Sequence, residues 1–380
     1  MQTLSKLTIL TLLLLSMTTM MSNVAIVTTI PHLKEYFSDE ANIEFLSRMM
    51  ITFPSLSIAL LAPFLGHLVY RFGKKKSAIT ALVFFALFGS TGLYLESLSL
   101  LLASRFFFGI SVAVLMIVTT SLVGDYFSGE ERHKFMGLQS AFSAIGGVFF
   151  VLGGGILADI DWRWAFGIYL IGFLLIPFAL KFIKEIKRDE PQTQESLNNK
   201  LFGIYALAFL LMLIFYILPT QIPFLIINHF GASSTLAGAI ISTAFVANAF
   251  GALAFARLKR KFSHSGIFLL SMAIIACGFI LIGFVNDVRL FFCTSPIMGF
   301  GGGLAMTNIV AWMLSKAHHT KRIKSSGYLT SAIFLGQFSS PIFFHPFVSY
   351  FGVRDFFIFV GVVLGVSLLA FLSLKKLQRS

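Results

Sequence analysis

The sequence predicts an all-α membrane protein with twelve transmembrane helices in two pseudo-symmetric six-helix bundles. Three observations lead there. Hydrophobic residues make up 57% and charged residues only 12% of the 380 positions, and the mean hydropathy of +0.88 is far above that of soluble globular chains. Apolar windows of about 20 residues, the length a helix needs to cross the hydrocarbon core, recur along the whole chain. Finally, the turn Gly66-His67-Leu68-Val69-Tyr70-Arg71-Phe72-Gly73-Lys74-Lys75-Lys76 has a weaker copy starting at Gly251 and ending in Arg257, Lys259, Arg260 and Lys261.

The windows place the first six spans at Leu7–Ile30, Glu44–Tyr70, Ala78–Leu95, Leu98–Val123, Phe135–Ala158 and Trp164–Ile183. The second six are Leu201–Pro219, Ser234–Ala256, Gly266–Val285, Val288–Leu314, Gly327–Phe351 and Phe356–Leu374. Each must be helical, because lipid offers no partner to open backbone groups and the runs lack the alternation of a barrel strand. The first is too long for a secretory signal and no small-residue cleavage site follows it, so it is read as a span. Cys277 and Cys293 both fall inside spans, which indicates core thiols rather than a disulfide framework.

Between the two sets lies a polar stretch, residues 184–200, with Pro191 and no apolar periodicity. It divides an N-terminal bundle, 1–183, from a C-terminal bundle, 201–380. Further landmarks repeat across it: Gly137 and Gly146 against Gly327 and Gly336, and Arg163 and Phe166 against Arg354 and Phe357. Parallel repeats of this kind are related by an axis along the membrane normal.

Cations set the orientation. With the N-terminus inside, only Lys34, Arg48, Arg163, Arg289 and Arg354 fall outside and Arg105 within a span; the other 23 lie in the cytosolic stretches. Both termini are therefore expected in the cytosol, with a multi-pass chain in the cytoplasmic (inner) membrane. The same distribution accounts for the net charge of +13: the basic turns lie against anionic headgroups of membrane lipid, and no nucleic-acid partner is called for.

The basic turn resembles the loop between helices two and three of the major facilitator superfamily. Gly66, Leu68, Arg71, Gly73, Lys74 and Lys75 match that family's pattern, with Tyr70 where it usually has aspartate. Two further stretches are similar to the family: Leu101 to Ile110, which places Arg105 within the fourth span, and Gly153-Gly154-Gly155 followed by Trp162-Arg163-Trp164. Phe150-Val151 stand where the family's exporters usually carry Gly-Pro. The pattern resembles most that of the family's bacterial drug/proton antiporters, with the antiporter signature incomplete at Phe150-Val151. The resemblance implies the major facilitator fold, a gating loop of Gly66, Arg71, Gly73, Lys74 and Lys75 with Asp125 as its acidic partner, alternating access, and a monomer.

A charge at membrane depth is costly unless it faces water or a partner, so Arg105 is expected to face the bundle interior, either as a substrate anchor or as a lock between helices. The amides Asn23, Gln221, Asn248, Asn308 and Gln337 fall within spans and complete the candidate substrate-binding set; each alone reads as interhelical glue. With 45 Phe in the chain, the cavity is expected to be largely apolar, suiting an amphipathic or aromatic small-molecule substrate better than a hexose. All sixteen Asp and Glu lie at or beyond span ends. If protons drive the cycle, the coupling candidates reduce to Glu44, Asp125 and His345. The methionines at 17, 20, 21, 49 and 50 read as packing rather than a metal path, since no Cys or His accompanies them. No cofactor and no metal are expected, and the clustered acids, histidines or ligands of an enzyme are not found. The expected function is secondary active transport of a small organic solute, as efflux in exchange for protons; the alternative is uptake or facilitated diffusion of a small anionic metabolite drawn by Arg105.

Overall fold

The computed structural model describes residues 5–185, 201–317 and 322–377; most of the polar stretch 184–200 lies outside the described residues. The helices are α1 (Lys6–Val24), α2 (Ile30–Tyr36), α3 (Ile43–Phe72), α4 (Lys74–Gly89), α5 (Leu98–Tyr126), α6 (Gly129–Ile160), α7 (Ile171–Phe182), α8 (Phe202–Phe215), α9 (Ile217–Phe224), α10 (Ser234–Lys259), α11 (His264–Phe284), α12 (Phe291–Lys316) and α13 (Arg322–Leu377). Serines cap four of them: Ser5, Ser97, Ser233 and Ser263 each accept a backbone N–H from the first turn of the following helix.

Twelve crossings result. Eleven segments among the described residues are long and apolar enough to span a bilayer, and the last of them, Ser325–Phe371, has 47 residues, about twice what one crossing takes. At Gly352 the backbone leaves the helix with φ +74°, a conformation that glycine adopts without penalty. The chain reverses there: Phe344 meets Phe356 at 5.6 Å and Phe347 meets Phe359 at 5.8 Å, whereas residues twelve apart on one straight helix would stand about 18 Å apart. Several predicted spans extend further than hydropathy indicated. The first bends through a 3-10 turn at Val27–Thr29 and continues to Tyr36, the third starts at Lys74, and the fifth starts at Gly129. The cause is that polar residues at a helix end remain helical while their heads reach water.

Within each half, small residues let helices approach to backbone contact. A Cβ at Gly299 or Gly303 of α12 would stand 2.0 Å from the Ala244 carbonyl or 1.9 Å from that of Asn248, so α10 and α12 are fused at these points. In the N-terminal half α3 and α5 do the same at Gly109, whose Cβ would meet Ser57 Oγ and the Pro54 carbonyl. The sharp turn between α3 and α4 is a single residue, Gly73, with φ +87°.

The halves carry the same internal clamp. Arg163 Nη1 donates to the carbonyls of Gly92 (3.1 Å) and Leu95 (2.8 Å). Arg354 Nε donates to the Gly283 carbonyl (2.9 Å), and its Nη2 to Asn286 Oδ1. All three pairs of positions are 191 residues apart.

Candidate functional site

The two halves touch along two seams, α3 against α13 and α6 against α10. Both begin at the face opposite the basic turns. Asp159, near the end of α6, accepts the first N–H groups of α10, from Ser234 (2.6 Å) and Thr235 (2.9 Å); a carboxylate on a helix N-terminus is favoured by both hydrogen bonding and the helix dipole. His32 Nε2 shares a 2.7 Å hydrogen bond with Ser234 Oγ. Further along this seam, a Cβ at Gly155 would lie 2.4 Å from the Ser234 carbonyl and one at Gly238 would lie 2.8 Å from that of Val151, and Ser242 Oγ donates to Val148 O at 3.3 Å.

The other seam holds a buried charge. Arg48, in the second turn of α3, has no exposed surface. Its Nη1 donates to the Glu44 carbonyl (2.8 Å), its Nη2 to Glu44 Oε1 (3.0 Å), and its Nε crosses to Gln221 Oε1 on α9 (3.0 Å). The guanidinium also lies 4.4 Å from the centre of the Phe224 ring. Lys34 reaches the other Glu44 oxygen at 3.5 Å, and His345 of α13 packs on the neighbouring Phe45 with its Nδ1 buried and without a hydrogen-bond partner. Deeper in the same seam, Phe53 meets Phe338 and Ser55 Oγ donates to Gln337 Oε1 (3.0 Å).

Nearer the basic turns the same helices show no glycine-mediated backbone approach between the halves among the described residues. A Cβ at Gly66 of α3, Gly137 of α6 or Gly327 of α13 would meet nothing within 4 Å. A shallow, open apolar groove of about 330 Å³ runs along one helix, α12, beside Met306, Thr307, Val310, Ala311 and Leu314.

The candidate residues separate into groups. Gln221, Gln337, Glu44 and His345 come together along the α3 seam. Arg105 does not join them. It is wholly buried inside the N-terminal half, where Nη2 donates to the carbonyls of Phe88 (3.2 Å) and Gly89 (2.7 Å). The rings of Phe108, Phe166 and Tyr169 enclose it with centroids 4.9–5.4 Å away. Asn308 is likewise spent: its Nδ2 donates to the His264 carbonyl and its Oδ1 meets His264 Nδ1, both at 2.9 Å, joining α12 to α11. Asn248 is half-buried on α10. Asn23 lies in α1, and its side chain is outside those described.

The gating-loop set is organised at the opposite end, within the N-terminal half. Lys74 Nζ pairs with Asp125 Oδ2, while Glu185 accepts the backbone N–H groups of Lys74 (2.8 Å) and Lys75 (2.9 Å) at the start of α4. Gly73 lies directly under that carboxylate, and Arg71 is exposed at the end of α3.

Sequence reasoning missed Arg48, which it counted among the outer cations although it is the most buried charge between the halves. Its i,i+4 spacing from Glu44, at the first turn of an apolar helix, was the available signal. Asp159, His32 and Glu185 were also missed, because hydrogen bonds to groups on distant segments leave no local pattern.

Two repeated six-helix halves, packed together at the face opposite the basic turns, form the framework of a membrane transporter. The sequence matches the Major Facilitator Superfamily over residues 12–204 and again over 204–380, and the chain belongs to that family. It is 31% identical over 175 residues to multidrug resistance protein 2 of Bacillus subtilis (strain 168), covering 42% of this chain and 43% of the relative. It is 28% identical over 146 residues to the niacin transporter NiaP of Acinetobacter baylyi (strain ATCC 33305 / BD413 / ADP1), covering 38% and 33%. The matched stretches thus span less than half of these curated relatives. Among solved structures, a bacterial homologue of the human lysosomal transporter Spinster superposes with a TM-score of 0.79 at 15% identity over 97% of this chain and 96% of the other. A D-xylose–proton symporter gives 0.68 at 15% over 94% and 96%. These two likenesses carry the fold.

Proposed function

We propose that the protein exports a small, largely apolar organic solute across the cytoplasmic membrane in exchange for protons, by alternating exposure of a site between its halves. The observation that carries this reading is the close packing of the halves at the face opposite the basic turns, where Gly155 and Gly238 bring α6 and α10 to backbone contact, while Gly66, Gly137 and Gly327 nearer the basic turns meet nothing within 4 Å. A pair of rigid halves joined at one end is one of the two states that an alternating-access cycle requires.

The excess of cations in the turns at the other end supports a cytosolic opening and cytosolic termini, which makes this the inward-open state. The multidrug resistance proteins among the relatives are in keeping with a lipophilic solute. The reading as uptake of an anion leaned on Arg105, whose Nη2 donates within its own half to the carbonyls of Phe88 and Gly89 and to Thr91 Oγ1. Of the proton candidates, Glu44 and His345 border the seam that must open, whereas Asp125 is paired with Lys74 inside one half.

Reconstitution into proteoliposomes with a panel of lipophilic cations, neutral aromatics and small carboxylates, with and without an imposed pH gradient, tests the proposal. The expected result is gradient-driven movement of an apolar solute toward the lumen in inside-out vesicles. Flux of every solute that ignores the gradient would remove proton exchange.

A further inference from the structure

We propose that Glu44 is a proton-operated release for the outer gate: its carboxylate holds Arg48 against Gln221, and a proton arriving from the outer face frees the two halves. The inference rests on the orientation and the inward-open state proposed above.

Arg48 is buried to zero exposure between halves, and among the described residues its only carboxylate partner is Glu44. A buried charge that loses its counter-charge is strongly destabilising, and here the relief is mechanical, because parting α3 from α9 would return the guanidinium to water. Glu44 itself is 39% exposed at the side chain, so a proton from outer solvent can reach Oε1 or Oε2 while the gate is shut. The bond lost is the Nη2 contact to Oε1; the proton stays on the carboxyl, and the Arg48–Gln221 contact is left as a buried charge on a neutral amide.

The charged and titratable groups around Glu44 are Lys34 from α2, Arg48 from its own helix and His345 from α13, while α9 contributes the uncharged Gln221. Lys34 and Arg48 both favour the ionised carboxylate, which keeps the gate shut at neutral pH. His345 faces the same cluster, and its protonation would add a third positive charge to it, acting in the same direction as protonation of Glu44. Among the described residues the second seam has no such arrangement: Asp159 meets backbone N–H groups and no buried cation.

The test measures distance across the outer face by pulsed electron–electron resonance. Spin labels are placed at Ser38→Cys and Asn228→Cys, both exposed, in full-length protein carrying Cys277→Ala and Cys293→Ala, reconstituted in liposomes. In the parent protein the separated population should rise as pH falls from about 5 to about 3, the range around the ordinary glutamate value of about 4.3. Glu44→Gln should hold that population at pH 7 about tenfold above the parent, a typical coupling between sites, and Glu44→Gln combined with His345→Gln should show no further rise on acidification. Gln221→Met, which keeps the volume of the side chain and removes the acceptor, should raise it at every pH. A Glu44→Gln protein that titrates like the parent, or that stays closed, overturns the inference; so does Gln221→Met without effect. Solute flux in the same liposomes separates the two readings. A gate that titrates while flux ignores the pH gradient removes only proton exchange, and gradient-driven flux with an unresponsive gate removes only the release.

Discussion

Arg163 and Arg354 make the same clamp in the two halves of the molecule, each tying the start of its half's last crossing to the carbonyl that ends the third. Both sit beside a buried phenylalanine, Phe166 and Phe357, each with no exposed surface. The repeat is thus preserved at the level of individual hydrogen bonds.

Replacing either arginine by alanine leaves carbonyls without their charged donor, at a cost of about 1–3 kcal/mol. Because the two clamps are far apart, the double variant should lose the sum. Thermal unfolding in detergent checks this, with strong non-additivity as the contrary result.

Arg105→Ala should cost more, about 3–5 kcal/mol, since it also empties a cage of three rings. Arg105→Lys should recover only part, because one ammonium cannot follow the planar contacts of a guanidinium. If Arg105→Ala keeps its melting temperature and loses transport alone, Arg105 is a substrate anchor and not a helix lock.

At the α6–α10 seam, Gly155→Val should push the halves apart, whereas Gly137→Ala should not. The first side chain would meet the Ser234 carbonyl and the second meets open space. Cross-seam distance between labels on α6 and α10 distinguishes them; equal behaviour of the two variants would contradict the close packing at Gly155.

Asp159→Ala removes the acceptor for two N–H groups at the start of α10, with charge-assisted bonds worth about 1.5–3 kcal/mol each. The open-outside population should grow, and Asp159→Asn, which keeps one acceptor oxygen, should fall between the alanine variant and the parent.

Glu185→Ala uncaps α4. A helix that loses its N-terminal acceptor gives up about 1 kcal/mol, so hydrogen exchange at Lys74 and Lys75 should accelerate locally while the far end of the molecule is unchanged.

The solvent, the helical class and the count of crossings were legible without coordinates, because lipid enforces them one segment at a time: a run such as Leu98 to Val123 can do little else than span. The repeat was legible because Arg163 and Arg354 remain as landmarks in both copies. Partnership was not. Arg48 reads in sequence as one more outer cation, and Gln221 as one more amide in a span; their contact at 3.0 Å exists only because α3 and α9, 173 positions apart, are brought side by side. Arg105 shows the converse, a charge whose depth the sequence fixes but whose direction depends on where the carbonyls of Phe88 and Gly89 end up. Hydropathy is a property of each segment and acts locally, whereas the pairing of buried charges is decided by which segments finally meet.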